Sequence, residues 1–368
     1  MKFISYISIL LLSLALGACS KPIKHSPNIV KTLPKKPDIR VVSVGDIMLG
    51  TNFPDDRLAP NDGKHLLKHV TPILTDADVT FGNLEGVLME GGIAAKKCKS
   101  ALSCYVFRSP PHYAQYLKSA GFDVLSLANN HARDFGEEGR SATMLALDAV
   151  GLLHSGRVGD VARWSVKGVS ISLIAFAPFG GSHDLLDTPL AQKQVAAEAQ
   201  LSDLVLVSIH AGAEGKDVKH VPFATEMFYG EDRGDVVAFS HAMVDAGADF
   251  IIGHGPHVPR AIELYKNRLI AYSLGNFTTY QGIRITNENG LAPILAVSLK
   301  ADGEFIDGQI FSARQFRPEG TKLDKRHMAA KMIKALTESD FPNTPLNISS
   351  DGAIQLIQRN NANIKTMP

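Results

Sequence analysis

The sequence predicts an α/β fold, and three observations carry that prediction. Apolar, β-branched runs alternate with helically spaced ones from residue 39 to about 150, the β-α-β-α order that goes with a mixed or parallel sheet covered by helices. From about residue 164 the grain changes to hairpin-like pairs of runs, which marks the start of a second sheet. Several runs also end in carboxylate, amide or imidazole side chains, and open α/β sheets place their ligands in the crevice at the carboxyl ends of their strands.

With 368 residues and an apolar fraction of 45%, the chain has room for one large domain or two ordinary ones around a sizeable core. Lys and Arg number 38 against 37 Asp and Glu, so no overall basic field exists to attract nucleic acid, which is excluded as a partner.

The first segment is a targeting signal. Met1-Lys2 precedes an apolar run from Phe3 to Leu16 and then Leu16-Gly17-Ala18-Cys19, a signal peptide over residues 1–18. The run is short of the ~20 apolar residues of a spanning helix, and the small residues before Cys19 resemble the lipobox of bacterial lipoproteins. Cleavage before Cys19 and lipidation of its thiol would anchor an exported chain to the cell envelope. Ser20 stands where an inner-membrane retention Asp often lies, so the outer membrane is slightly favoured for a chain facing the periplasm. The alternatives are an uncleaved N-terminal anchor, or the extracellular face where there is no outer membrane. Residues 19–38 hold four prolines and five lysines and read as a flexible tether. Cys98 and Cys104 remain, either as a small-loop disulfide in an oxidising compartment or as two free thiols.

The elements follow in order. Ile39 to Gly45 is a strand ending on Asp46; Lys64 to Leu74 has helical spacing of Leu66, Leu67, Val70 and Ile73. Asp78 to Leu84 is a second strand running into Asn83 and Glu85. Residues 87–107 make an excursion that carries the cysteine pair. Ser109-Pro110-Pro111 opens a helix through about Ala120, Phe122 to Leu127 is a buried strand, and Asn129-Asn130-His131-Ala132-Arg133-Asp134 follows it directly. A helix runs from Glu137 to about Val150, with acidic residues in its first turn and Gly151 at its end. Runs at 164–168 and 170–177 form a hairpin around Lys167-Gly168, and a helix near 187–200 follows. Leu204 to Ile209 is a strand ending on His210 and Glu214, residues 233–247 are helical, and Asp249 to Gly253 is a strand ending on His254 and His257. A hairpin around Lys266-Asn267 leads to Asn276, strands follow near 293–299 and 304–316, and a basic helix from Leu323 to Leu336 and a polar tail close the chain. The domains are thus 39–316 and a C-terminal helical extension, 317–368, packed on it.

Collected, the strand ends supply Asp46, Asn83, Glu85, Asn130, His131, His210, His254 and His257. Two carboxylates with amides and three or four imidazoles make the ligand set of a two-metal site for Mn²⁺, Zn²⁺ or Fe²⁺, which could activate a water and polarise a phosphoryl or carbonyl oxygen. Taken singly, each has a plainer reading. Asp46 and Glu85 suit loop carboxylates that cap backbone N–H groups, His210 and His254 suit core histidines, and Asn129-Asn130 suits a turn. Coincidence at five separate strand ends argues for the shared site.

Gly45-Asp46-Ile47-Met48-Leu49-Gly50, Asn83-Leu84-Glu85-Gly86, Phe107-Arg108-Ser109-Pro110, the 126–136 stretch, Gly253-His254-Gly255-Pro256-His257-Val258 and Tyr272-Ser273-Leu274-Gly275-Asn276-Phe277 resemble the CapA/PgsA family (PGA_cap) of bacterial poly-γ-glutamate capsule synthesis proteins. That family is a branch of the calcineurin-like metallophosphoesterase superfamily, and the likeness runs in order over 39–316. It implies a four-layer α-β-β-α sandwich, two mixed sheets flanked by helices, with the metal centre between the sheets' carboxyl ends. It implies Asp46 as ligand of one ion, Glu85 as bridge, Asn130 and His210 on the second ion, and His254 and His257 split between them. His131 becomes the general acid or the group that polarises substrate, held by Asp134, whose alternative role is to cap the helix starting near Glu137. Asn83, Asn129, Glu214 and Asn276 are left for contacts to substrate or to the ligands.

The chain departs from the wider superfamily at two positions and from the family pattern at two more. Met48 stands where metallophosphoesterases at large have a histidine, and Glu85 where they have a second Asp; CapA-like proteins share both changes. Ala211 and Gly255 replace a Trp and a His common within the family. Two functions remain open from sequence. One is a metal-dependent hydrolase or transferase acting on a γ-glutamyl amide or phosphoester of the capsule pathway or another cell-envelope substrate. The other is a metal-stabilised accessory protein that binds or exports poly-γ-glutamate alongside other capsule synthesis proteins.

Overall fold

Alternation along Ile39–Met48 sets the layers. Ile39 and Val41 enter one apolar cluster, Val42 and Val44 another, because successive strand side chains point to opposite faces. The same parity runs through the rest: Val79 and Phe81, Leu204 and Leu206, and Phe250 and Ile252 all join the first cluster. That cluster draws on both sheets and is the core between them.

The structure, a computed structural model, describes residues 36–97 and 105–357. The lipidation candidate Cys19 and the pair Cys98 and Cys104 lie outside the described residues. Among those described, no helix is long and apolar enough to cross a membrane.

The first sheet has nine strands, in the order Leu346–Ile348, Ala353–Leu356, Phe305–Phe311, Ile294–Leu299, Ile39–Met48, Val79–Leu84, Val124–Ser126 and Leu153–Ser155, with Asn276–Thr279 also paired to Ile39–Met48. The second has seven, His183–Asp184, Val169–Ala177, Leu204–His210, Phe250–His254, Arg268–Ala271 and Ile262–Tyr265, with Ala162–Val166 paired to Val169–Ala177. The hairpins expected at Lys167-Gly168 and Lys266-Asn267 are both present. Helices Tyr113–Ala120 and Gly136–Asp148 cover the outer face of the first sheet through Tyr113, Leu117 and Leu147. Helices Thr188–Glu198 and Val236–Asp245 cover the second through Ala191, Val195, Phe239 and Met243. These are the four layers of an α-β-β-α sandwich, as expected.

Three elements differ from expectation. The helix expected over Lys64–Leu74 is α-helical only at Thr71–Leu74. Pro72 lacks the N–H that would bond back to Lys68, so residues 64–70 wind in tighter turns that still bury Leu66, Leu67 and Val70. The last helix is Met328–Asp340 rather than 323–336, since Gly320–Leu323 pairs as a strand with Ala313–Phe316. Ala330 and Ile333 of this helix reach the core between the sheets and Leu336 the core outside the second. The polar tail is likewise a hairpin, Leu346–Ile348 with Ala353–Leu356, which adds two strands to the first sheet and sends Leu346, Ile348 and Ile354 into the same core. An antiparallel edge strand exposes one face, so its polar alternate residues gave the segment the look of a tail.

Candidate metal centre

Strand register assembles the site. In the first sheet, Asp46 has Asn83 and Asn276 as Cα partners on its two parallel neighbours; in the second, His210 is opposite His254. Parity alone would send Asp46 outward with Val42 and Val44. The pairing slips beside Asp46 on both neighbours, a bulge that re-aims the side chain. Ile47 thereby joins the outer cluster and Asp46 faces the second sheet. Gly45 permits this, because a Cβ there would sit 2.0 Å from the Gly275 carbonyl oxygen, the backbone that accepts from Asp46 N at 2.9 Å.

Asp46 is wholly buried and faces imidazoles from both histidines of the 254–257 turn: His254 Nδ1 is 3.4 Å from Oδ1, and His257 Nδ1 is 2.9 Å from Oδ2. Asn83 donates to Asp46 Oδ1 at 2.8 Å and lies 3.4 Å from His210 Nδ1. Glu85 is 3.6 Å from His257 Nε2, and Asp46, Glu85 and His257 offer ligand atoms within 4.8 Å of one another. Glu214 stands at the rim, 3.9 Å from His257 Nε2, and accepts from Arg233 at 3.1 Å. Asn276 Oδ1 is 3.1 Å from His257 Nδ1, while its amide donates to the His257 and Asn289 carbonyls.

On the other side, Asn129 donates to Asn83 Oδ1 and to the Leu84 carbonyl, and its own Oδ1 accepts from His131 N. Asn129 is therefore a brace between loops. His131 Nδ1 is 2.7 Å from Asp134 Oδ2, which also accepts from Phe107 N at 2.7 Å. Asp134 is not a helix cap: helix Gly136–Asp148 starts with no side-chain cap.

Several buried polar atoms here have no hydrogen-bond partner: both Glu85 oxygens, Asn130 Oδ1, His210 Nε2 and both His254 nitrogens. Leaving one such group unpaired costs about 1–3 kcal/mol, so six at one place call for a ligand that accepts lone pairs. Oxygen and imidazole donors together suit a divalent transition ion, and the residues present fit one.

The charges tell the same story. Burial disfavours the Asp46 carboxylate, but the imidazoles of His254 and His257 beside it outweigh burial and hold its pKa far below the usual range. Burial, and after it the Asp46 charge, push Glu85 well up. Burial drives His210 well down, so it keeps a free lone pair. Burial also opposes a charge on His257, yet Glu85 and Asp46 raise it to about 10. A positive charge is favoured beside these carboxylates.

Sequence reasoning missed three residues. Phe107 stacks on His131 with ring centroids 4.2 Å apart; it lay in a quoted motif without a role. Lys96 Nζ lies 3.2 Å from both His131 Nδ1 and Asp134 Oδ1, and donates to the Asn130 carbonyl at 3.3 Å. No pattern marks a lone lysine in a polar excursion. Phe179, in the turn two residues beyond the Val169–Ala177 strand, stands 6.0 Å from the His210 ring and 4.9 Å from the Arg233 guanidinium. The departures from the family pattern also gain a setting. Met48 Sδ accepts from Gly50 N, and Gly255 packs against Ala211, where a Cβ would lie 2.6 Å from the Ala211 carbonyl oxygen.

The sequence profile described as "Bacterial capsule synthesis protein PGA_cap" matches residues 40–281. The chain is 30% identical over 285 residues to "Capsule biosynthesis protein CapA" of Bacillus anthracis, covering 73% of this chain and 65% of that protein. It is 30% identical over 268 residues to "PGA biosynthesis protein CapA" of Bacillus subtilis, covering 67% and 65%. A "Probable polyglutamine synthesis accessory protein" of Mycobacterium tuberculosis is 30% identical over 57% of this chain and 58% of its own length. The chain thus spans about 65% of the length of the two CapA relatives. Among solved structures, the calcineurin-like phosphoesterase YfkN from Bacillus subtilis is similar at a TM-score of 0.44 and 12% identity, covering 83% of this chain and 98% of that one.

Proposed function

This chain belongs to the PGA_cap family of bacterial capsule synthesis proteins, and from that premise we propose that it is an exported, lipid-anchored protein that processes poly-γ-glutamate at a two-metal site. The reaction is hydrolysis or transfer at a γ-glutamyl amide or a phosphoester. The observation that carries this reading is the set of buried, partnerless donor atoms on Glu85, His210 and His254 around Asp46, with Asn130 Oδ1 in the adjoining loop. Asp46, Glu85 and His257 would hold one ion, and Asn130, His210 and His254 would complete a second with Glu85 between them. Bound there, such ions supply an activated water and polarise the oxygen of the bond to be cleaved. Asp134 holds His131 through Nδ1 and Phe107 stacks on its ring, which leaves Nε2 as the nitrogen that would serve a leaving group or an oxyanion. Lipidation at Cys19 and a place on the periplasmic face, outer membrane favoured, belong to the same proposal.

A second reading has its own support. The relative from Mycobacterium tuberculosis is named an accessory protein, and a non-catalytic role in binding or exporting the polymer fits the same metal set. Two measurements separate them. Metal analysis of the chain from residue 20 onward is expected to give about two transition ions per molecule, and none would end the site assignment. Turnover of γ-glutamyl peptides and phosphoesters is expected to collapse in His131→Ala, whereas equal and negligible turnover in both proteins selects the accessory role.

A further inference from the structure

Charge is nearly balanced over the whole sequence, with a formal net of +1, so an acidic polymer needs a local cationic surface to bind. Such a surface lies beside His131. Arg133, Arg140 and Arg157 converge on one carboxylate, Glu137, from three segments: Arg133 Nε at 2.8 Å, Arg140 Nη2 at 2.5 Å and Arg157 Nη2 at 3.4 Å. Arg140 takes both carboxylate oxygens, with Nε at 3.1 Å as well, and its side chain is only 3% exposed. Glu137 is therefore largely spent on Arg140. Arg133 and Arg157 keep side-chain exposures of 46% and 34%. Three guanidiniums thus share one carboxylate.

The cluster is anchored to a turn that adjoins the site. Arg133 donates to the Gly180 carbonyl at 2.8 Å and Arg140 to the Gly181 carbonyl at 2.7 Å. Phe179, one residue earlier, faces the His210 ring. Arg133 itself is two residues beyond His131 in the same loop, and Lys96 adds a further cation 3.2 Å from His131 Nδ1. Arg157 is held by Ser141 Oγ at 2.6 Å, so both exposed guanidiniums are positioned before any ligand arrives.

We propose that Arg133 and Arg157 form an extended carboxylate-binding track for an acidic polymer, leading outward from His131, with buried Arg140 adding to the positive field. A guanidinium presents paired N–H donors that match a carboxylate, and a chain with one free carboxylate per residue can reach both arginines while a bond lies at the metal centre. The inference rests on the reading of poly-γ-glutamate as substrate and names where its flanking residues bind.

The test is binding of fluorescently labelled poly-γ-glutamate to the full chain and to an Arg133→Gln/Arg157→Gln variant, at low and high salt. Glutamine keeps an N–H donor but removes the charge. Affinity is expected to fall about tenfold in the variant, as for the loss of two partly exposed ion pairs, and to depend less steeply on salt. Arg133→Lys/Arg157→Lys is expected to recover part of the loss, which a purely structural role would not predict. If the wild type binds and the glutamine variant matches it in affinity and salt slope, the track is wrong while the polymer reading stands. If the wild type does not bind the polymer at all, that reading fails and takes the track with it.

Discussion

Asp134 Oδ2 lies 2.7 Å from the Nδ1 of His131 and accepts from the Phe107 backbone N–H at the same distance. One carboxylate oxygen thus orients the imidazole and fixes the backbone of Phe107, whose ring stacks on it. Asp134→Asn keeps the size and one acceptor but removes the charge and can present the wrong group to the ring. Turnover on whichever substrate the wild type accepts is expected to fall by ~10²–10⁴, the usual range for a general acid or base, with metal content unchanged. Loss of metal along with activity would show that Asp134 supports the ligands instead.

His210 and His254, register partners with unpaired nitrogens, make stability depend on metal. A ligand that binds only the folded state stabilises it by about 2.7 kcal/mol at a hundredfold excess over its dissociation constant. Chelation is expected to lower the melting temperature of the wild type, and added Mn²⁺ or Zn²⁺ to restore it. In His210→Ala/His254→Ala that response is expected to shrink sharply. An undiminished metal-dependent shift in the double variant would remove both histidines from the ligand set.

These contrasts show what the sequence could disclose. The polar ends of the strands were legible because an apolar run that stops on His210 or on His254 has few plain explanations, and five such ends point to one crevice. The direction of Asp46 was not legible: the bulge that turns it inward depends on pairing with Val79–Leu84 and Asn276–Thr279, and pairing is non-local. Lys96 was invisible for the same reason, since its importance comes from contacts across 34–38 residues of chain. The C-terminal hairpin was missed because an edge strand buries one face and reads as polar.

Gly255 gives a stability prediction at a position where the family often carries a larger residue. Its φ is +114°, and a Cβ would meet the Ala211 backbone at 2.6 and 2.9 Å from O and N, so no rotation of a side chain relieves the contact. Gly255→Ala is expected to cost about 2 kcal/mol or more, from left-handed strain together with overpacking. Urea unfolding measures it, and because Gly255 follows His254 directly, metal affinity is expected to weaken as well. A neutral effect on both would mean that this turn can change its backbone path.

His154 supplies a pH dependence remote from the metal centre. It lies on the Leu153–Ser155 strand with its side chain 8% exposed, Nδ1 at 2.9 Å from Asp160 and Nε2 at 3.2 Å from Asp148. Burial opposes its charge, but the hydrogen bond and charge of Asp160, followed by those of Asp148, outweigh burial and raise its pKa above 6.5. The native state therefore holds this proton at pH values where the unfolded chain has released it. Its contribution to stability is complete below about pH 6.5 and is lost as pH rises through the raised native value, by roughly 1.4 kcal/mol for each unit that separates the two. Unfolding free energies of the wild type minus those of His154→Gln, measured from pH 6 to pH 9, are expected to decline over that window. A difference that stays flat would mean that the two aspartates do not hold a proton on this imidazole.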